Sequence, residues 1–208
     1  MTRVKICGIT NPDDLRAAVE AGADAIGFIR VPESPRFVPD DLFHALVQAT
    51  PPFVTTVAVV RRPSDATNSA TDCVQYYEEG ESPALPKRRI RAFRVRGEES
   101  LMEVENYAGA EAVHAYHLDA YHPGMLGGAG ERFDWNLARR ITEIAAKPIV
   151  LAGGLTPDNV VEAIRQVQPY AVDVSTGVEI SPGRKDHAKL RTFIAAVRGA
   201  DRTERTGE

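Results

Sequence analysis

Short apolar runs alternate with amphipathic stretches along almost the whole chain. The first run, Val4-Lys5-Ile6-Cys7-Gly8-Ile9-Thr10, reads as a strand buried on both faces, the kind that parallel sheets use. Gly8 permits a tight turn, and Asn11-Pro12-Asp13-Asp14 then opens a helix. Asn11 suits the cap, Pro12 the first helical position, and the two acids the positive end of the helix dipole. Leu15, Ala18, Val19 and Gly22 come next at the i, i+3, i+4, i+7 spacing of one buried face, with Gly22 also a stop.

The same alternation continues. Residues 25–29 form a second strand, and residues 31–36 a loop with two prolines and an arginine, Arg36, that reads as exposed. A helix is predicted over 39–49, a strand over 54–60, and a weak, polar helix over 64–72. Residues 73–77 make a fourth strand. Gly80, Pro83 and Pro86 interrupt the segment after it, so the helix there is short or missing. A fifth strand spans 89–95, and a helix over 98–109 turns Leu101, Val104 and Ala108 inward. The sixth strand, 112–119, is less apolar because it holds His114 and His117. A glycine-rich loop over 120–133 leads to a helix capped by Asp134, with Leu137, Ala138 and Ile141 on one face. A seventh strand over 148–152 ends at Gly153-Gly154, and Thr156-Pro157-Asp158 caps the next helix. Strand eight covers 171–175. The last helix carries Leu190, Phe193, Ile194 and Val197, and residues from 199 are polar and frayed.

Strand–helix units of about 25 residues imply parallel strands, and eight of them imply one closed (β/α)8 TIM barrel. The barrel is expected over residues 1–198, with 199–208 as a tail.

Composition narrows the function classes. A chain of 208 residues with 43% hydrophobic and 26% charged residues is ordinary for a globular protein. A net charge of −4 disfavours a general nucleic-acid binder, so an anionic ligand needs local positive groups. No apolar run reaches the roughly 18 residues of a bilayer span, and no secretory signal is visible. Two cysteines, Cys7 and Cys73, give no disulfide framework and fit a reducing cytoplasm. His44, His114, His117, His122 and His187 show no metal-ligand spacing, so no metal is expected. His117 shares the parity of Asp119 and reads as a structural histidine inside the barrel.

Barrel chemistry collects at the carboxyl ends of the strands. Those ends carry Cys7, Arg36, Tyr77, Asp119, Gly153-Gly154 and Ser175-Thr176-Gly177. The glycine turns after strands seven and eight flank the place where barrels bind phosphate, where amide N–H groups can meet an anion; tight βα connections would also use such turns. A lone cysteine suits either core packing or chemistry. Opposite the carboxylate of Asp119, across a phosphate site, it points to proton transfer. Parity adds one structural expectation: if Cys7 faces inward, so does Lys5, and if Ser175 does, so does Asp173. Strands one and eight are neighbours in a closed barrel, so Lys5 and Asp173 are expected to pair below the site.

Lys5-Ile6-Cys7-Gly8-Ile9-Thr10, Gly27-Phe28, Ser34-Pro35-Arg36, Leu118-Asp119, Gly127-Gly128-Ala129-Gly130 with Phe133-Asp134-Trp135, Leu151-Ala152-Gly153-Gly154-Leu155-Thr156-Pro157 and Asp173-Val174-Ser175-Thr176-Gly177-Val178-Glu179 together resemble the phosphoribosylanthranilate isomerase family. The matches run in order from residue 3 to about residue 190. The resemblance implies a cofactor-independent Amadori rearrangement in tryptophan biosynthesis, with a small phosphorylated substrate; no nucleic-acid or membrane partner is expected, and the chain is expected to be a monomer or homodimer. It implies Cys7 as general base, Asp119 as general acid, Arg36 on the anthranilate carboxylate, and Gly154, Ser175, Thr176 and Gly177 on the phosphate. The family usually ends strand four with Gln-Leu-His-Gly, whereas this chain has Gln75-Tyr76-Tyr77-Glu78; Tyr77 is assigned to substrate binding. Two other readings remain: a barrel isomerising another phosphosugar, and a phosphate-binding barrel without catalysis. Retention of both Cys7 and Asp119 disfavours the second.

Overall fold

The computed structural model describes residues 1–66, 70–80, 88–107, 110–120 and 134–205. Its eight barrel strands are β1 (Arg3–Cys7), β2 (Ala25–Ile29), β3 (Thr55–Val60), β4 (Cys73–Tyr76), β5 (Arg88–Val95), β6 (Ala115–Ala120), β7 (Ile149–Leu151) and β8 (Ala171–Val174). All pair in parallel and in chain order, and β8 returns to β1 to close the barrel. Outside lie α1 (Pro12–Ala21), α2 (Asp40–Ala49), α3 (Glu99–Glu105), α4 (Trp135–Ile144), α5 (Val160–Val167) and α6 (His187–Arg205). A small hairpin, β9 (Glu179–Ser181) with β10 (Arg184–Lys185), sits between β8 and α6.

Local chemistry sets these boundaries. The Asn11 side chain accepts the Asp14 N–H at 2.8 Å, and Pro12 begins α1. Gly22, at φ 96°, ends it by donating to the carbonyls of Ala18 and Val19. β1 stops at Cys7, short of the expected Thr10, because Gly8 turns the chain at φ 75°. A Cβ at Gly8 would lie 2.7 Å from Arg36 Cδ and 3.0 Å from Ser175 Oγ. The bare glycine therefore lets the β2 and β8 ends close over β1.

The core has two parts. Outward residues such as Ile6, Phe28, Leu118 and Val172 pack against Leu15, Leu46, Ile141 and Phe193 of the helices. Inside the barrel, Cys7, Val57, Val59 and Cys73 form a smaller cluster, with Ile29 and Tyr77 against it. The interior also holds polar groups: Lys5, Gln75, His117 and Asp173 are all buried there.

Several expected elements are revised. The polar helix over 64–72 is only a 3-10 turn, Pro63–Ala66, with 67–69 outside the described residues. That segment has no apolar stripe with which to anchor a longer helix. β4 ends at Tyr76, and no helix stands between β4 and β5 among the described residues; residues 81–87, with Pro83 and Pro86, lie outside them. α3 ends at Glu105 because Asn106 turns its side-chain amide and its N–H onto the Met102 carbonyl. Ala108 lies outside the described residues, as does the loop over 121–133 with His122 and its glycines. β6 begins at Ala115, preceded by a 3-10 turn over Ala110–Ala112. α5 starts at Val160, so Thr156-Pro157-Asp158 is a turn before the helix and Asn159 holds the cap position. The chain does not fray at 199: α6 continues to Arg205, and Thr2 N–H donates to both carboxylate oxygens of the buried Asp201, at 2.9 and 3.0 Å. Residues 206–208 lie outside the described residues.

Candidate active site

A cavity of about 410 Å³ opens at the carboxyl ends of the strands. All of the residues expected there line it: Cys7, Arg36, Tyr77, Asp119, Gly154, Ser175, Thr176 and Gly177. Cys7 arrives because β1 alternates and ends at it, and Asp119 because β6 delivers it from the opposite wall. Burial pushes the Cys7 thiol up, while the nearby Lys5 ammonium pulls it down; the net direction is upward. Burial likewise raises the Asp119 carboxyl above the ordinary carboxylate range, against the pull of His117. Asp119 Oδ1 accepts the N–H of Ala120 at 2.9 Å, and Oδ2 meets the Tyr77 hydroxyl at 3.4 Å.

Beneath these groups lies a charged floor. Lys5 Nζ bonds Asp173 Oδ2 at 2.7 Å and Gln75 Oε1 at 3.0 Å, and His117 Nε2 reaches the same Asp173 oxygen at 2.8 Å. The expected Lys5–Asp173 pair is present, because the two residues are register partners across β1 and β8. Burial works to raise Asp173, but Lys5 and His117 outweigh it and bring the carboxyl down to about 2.

On the other side of the cavity Gly177 has no room for a side chain. A Cβ there would stand 1.9 Å from the Leu155 carbonyl oxygen. The turn after β8 is thus pressed onto the turn after β7. Asn159 secures the latter: its Oδ1 accepts the Thr156 N–H at 2.8 Å and its Nδ2 donates to the Gly154 carbonyl at 2.9 Å.

Arg36 corrects an expectation: its polar loop reads as exposed, yet only 5% of the residue's surface is accessible. Its Nε and Nη2 grip Glu179 at 2.9 and 2.7 Å, and Nη2 also reaches Thr176 Oγ1 at 3.3 Å. The same carboxylate takes Lys185 Nζ at 2.8 Å, and Lys185 spans on to the Cys7 carbonyl at 2.6 Å. Two cations against one carboxylate leave a net positive charge beside the cavity. Sequence reasoning misses Glu179, Lys185 and Gln75 as site residues. Lys185 stands in a polar Gly-Arg-Lys-Asp stretch to which no element is assigned, so nothing periodic marks it. Gln75 is legible by parity with Cys73 and Tyr77.

The fold and site define a (β/α)8-barrel enzyme with a thiol and a carboxyl group at the strand ends. A family model described as N-(5'phosphoribosyl)anthranilate (PRA) isomerase matches residues 4–196. A protein of Geobacter sp. (strain M21) named N-(5'-phosphoribosyl)anthranilate isomerase is 49% identical over 213 residues, covering 95% of this chain and 98% of its own. A protein of the same name from Citrifermentans bemidjiense is 50% identical, with the same coverage. The crystal structure of phosphoribosyl anthranilate isomerase from Thermotoga maritima superposes with a TM-score of 0.83 at 36% identity, covering 96% of this chain and 100% of that one. A second, in complex with reduced 1-(o-carboxyphenylamino)-1-deoxyribulose 5-phosphate, gives 0.80 at 35% identity, with the same coverage. The chain belongs to the N-(5'-phosphoribosyl)anthranilate isomerase family. No helix among its described residues is long and apolar enough to cross a membrane.

Proposed function

We propose that Cys7 and Asp119 divide the proton transfers of the family's reaction between them. The substrate is N-(5-phosphoribosyl)anthranilate, and the product is 1-(2-carboxyphenylamino)-1-deoxyribulose 5-phosphate. Asp119 gives its proton to the ribose ring oxygen as the C1′–O bond breaks and the nitrogen lone pair forms the iminium. The Cys7 thiolate takes the C2′ proton, and the freed electron pair neutralises the iminium as an enamine. That enol-bearing enamine then tautomerises to the ketone. Nothing is gained or lost overall, as an isomerisation requires.

The binding roles match the charges. The Arg36–Lys185–Glu179 cluster places positive charge near the aryl end, where Arg36 meets the anthranilate carboxylate. Gly154, Ser175, Thr176 and Gly177 hold the phosphate where the two turns are pressed together, and Tyr77 forms part of the wall. One observation carries this reading: the buried thiol and carboxyl share one cavity with the paired glycine turns. We place the reaction in the cytoplasm, in keeping with two free thiols, and assign no nucleic-acid or membrane partner. Monomer and homodimer both suit it; among relatives, monomers were generated from the dimeric Thermotoga maritima enzyme.

The test is turnover of freshly made phosphoribosylanthranilate, followed by anthranilate fluorescence. Cys7→Ser and Asp119→Asn should each lose about 10²- to 10⁴-fold in rate while the far-UV spectrum stays unchanged. Near-wild-type turnover in either variant would overturn that residue's role. Turnover of another phosphosugar alone would favour the diverged-isomerase reading, and phosphate binding without any turnover the non-catalytic one.

A further inference from the structure

Tyr77 stands where the family usually has the histidine of Gln-Leu-His-Gly; it is half-buried in the cavity wall, with its hydroxyl against the acid. Its hydrogen bonds give it a direction. The Lys5 ammonium has only donors, so it holds Gln75 by Oε1, at 3.0 Å. The Gln75 amide must then turn its Nε2 to the other side, where it donates to the Tyr77 oxygen at 3.5 Å. With its oxygen facing a donor, Tyr77 turns its own O–H toward Asp119 Oδ2, 3.4 Å away. Asp119 Oδ1 is already taken by the Ala120 N–H at 2.9 Å. The two carboxyl oxygens are therefore distinguished by their surroundings.

We propose that Tyr77 is a positioning residue for Asp119, its hydroxyl fixing the carboxyl in the cavity and donating to the negative charge that proton delivery leaves on Oδ2. This inference rests on the acid role proposed above for Asp119. A hydrogen bond donated to Oδ2 is worth most when that oxygen is charged, so it strengthens as the proton leaves. Both bonds of the Tyr77 hydroxyl are long, as catalytic contacts often are before substrate tightens them. Tyr77 stays a neutral donor throughout, because burial and the neighbouring Asp119 drive its own ionisation well upward.

The other groups around Asp119 are Lys5 on β1, His117 on β6 itself and Asp173 on β8. Arg94 on β5 is its register partner. Lys5 and His117 favour the carboxylate and Asp173 opposes it; Tyr77→Phe leaves all of these in place and removes only one oxygen atom. The experiment is carbon-13 NMR titration of aspartate-labelled protein, with the Asp119 signal assigned by its loss in Asp119→Asn, alongside kcat/KM against pH. In Tyr77→Phe the Asp119 titration should move up by about one pH unit, the equivalent of one charge-assisted bond. The acid limb of kcat/KM should move with it, while the alkaline limb stays in place. A role in substrate packing alone would raise KM and leave the Asp119 titration where it was, and that result would overturn the inference. The two failures are separable. Intact turnover in Asp119→Asn overturns the acid assignment, whereas an unmoved titration in Tyr77→Phe overturns the positioning role by itself.

Discussion

Lys5 Nζ and Asp173 Oδ2 lie 2.7 Å apart inside the barrel, with both side chains almost wholly buried. Neither charge has solvent to turn to, so each depends on the other, and on Gln75 and His117, for its stabilisation. Lys5→Met or Asp173→Leu alone should therefore cost about 3–5 kcal/mol in denaturant unfolding. The double variant should recover a large part of that loss, since it removes both charges together. Losses that simply add would mean that the two residues are stabilised independently.

The same carboxylate makes stability depend on acid pH. Asp173 titrates at about 2 in the folded protein, below its ordinary 3.8. A depressed carboxyl contributes stability above its unfolded value, and that contribution fades as pH falls from about 4 toward 2. The amount is on the order of 2 kcal/mol. Urea midpoints measured across this range should fall in the parent protein, and fall less steeply in Asp173→Asn. Equal slopes would show that other carboxylates carry the acid sensitivity.

Activity should trace a bell in pH, because the reactive form holds one proton between two groups: Cys7 as thiolate and Asp119 as acid. Below the lower titration both groups are protonated and the base is missing. Above the upper one both are ionised and the acid is missing. Burial raises both groups, so the acid limb should lie above the ordinary carboxyl value of 3.8 and the alkaline limb above the ordinary thiol value of 9.0. A profile of kcat/KM with an alkaline limb below the ordinary thiol value of 9.0 would contradict this.

Glu179 should matter to binding although it does not line the cavity. It holds Arg36 by two nitrogens and Lys185 by its ammonium. Arg36→Met should raise KM at least about tenfold, the equivalent of about 1.4 kcal/mol from a lost charge-assisted pair. Glu179→Gln should raise KM as well, because the guanidinium loses its fixed orientation. An analogue of the substrate without the aryl carboxylate should bind equally well to the parent and to Arg36→Met. Equal weakening of both ligands would make Arg36 a support for its loop.

The alternation of apolar runs and amphipathic stretches was enough to determine the barrel. Eight buried strands separated by covering segments have few ways to satisfy their backbones other than a closed parallel sheet. Strand parity went further, pairing Lys5 with Asp173 and setting Cys7 on the face of Lys5 and His117 on the face of Asp119, since a strand alternates with period two whatever surrounds it. Turn chemistry likewise placed the start of α1 at Asn11 and its end at Gly22. Other features belong to the tertiary structure alone. Arg36 looks exposed because its loop is polar and proline-rich; it is buried because Glu179, 143 residues away, reaches it over the bare Gly8 turn. Lys185 lies in a polar stretch with no periodic pattern, yet it bridges the ends of β1 and β8. Asp201 looks like a frayed tail, yet it caps the first strand's approach through Thr2. Local pattern determines which way a side chain points along its own element. Which charge it meets there depends on chain closure, because the partner comes from a part of the sequence that no local period can reach.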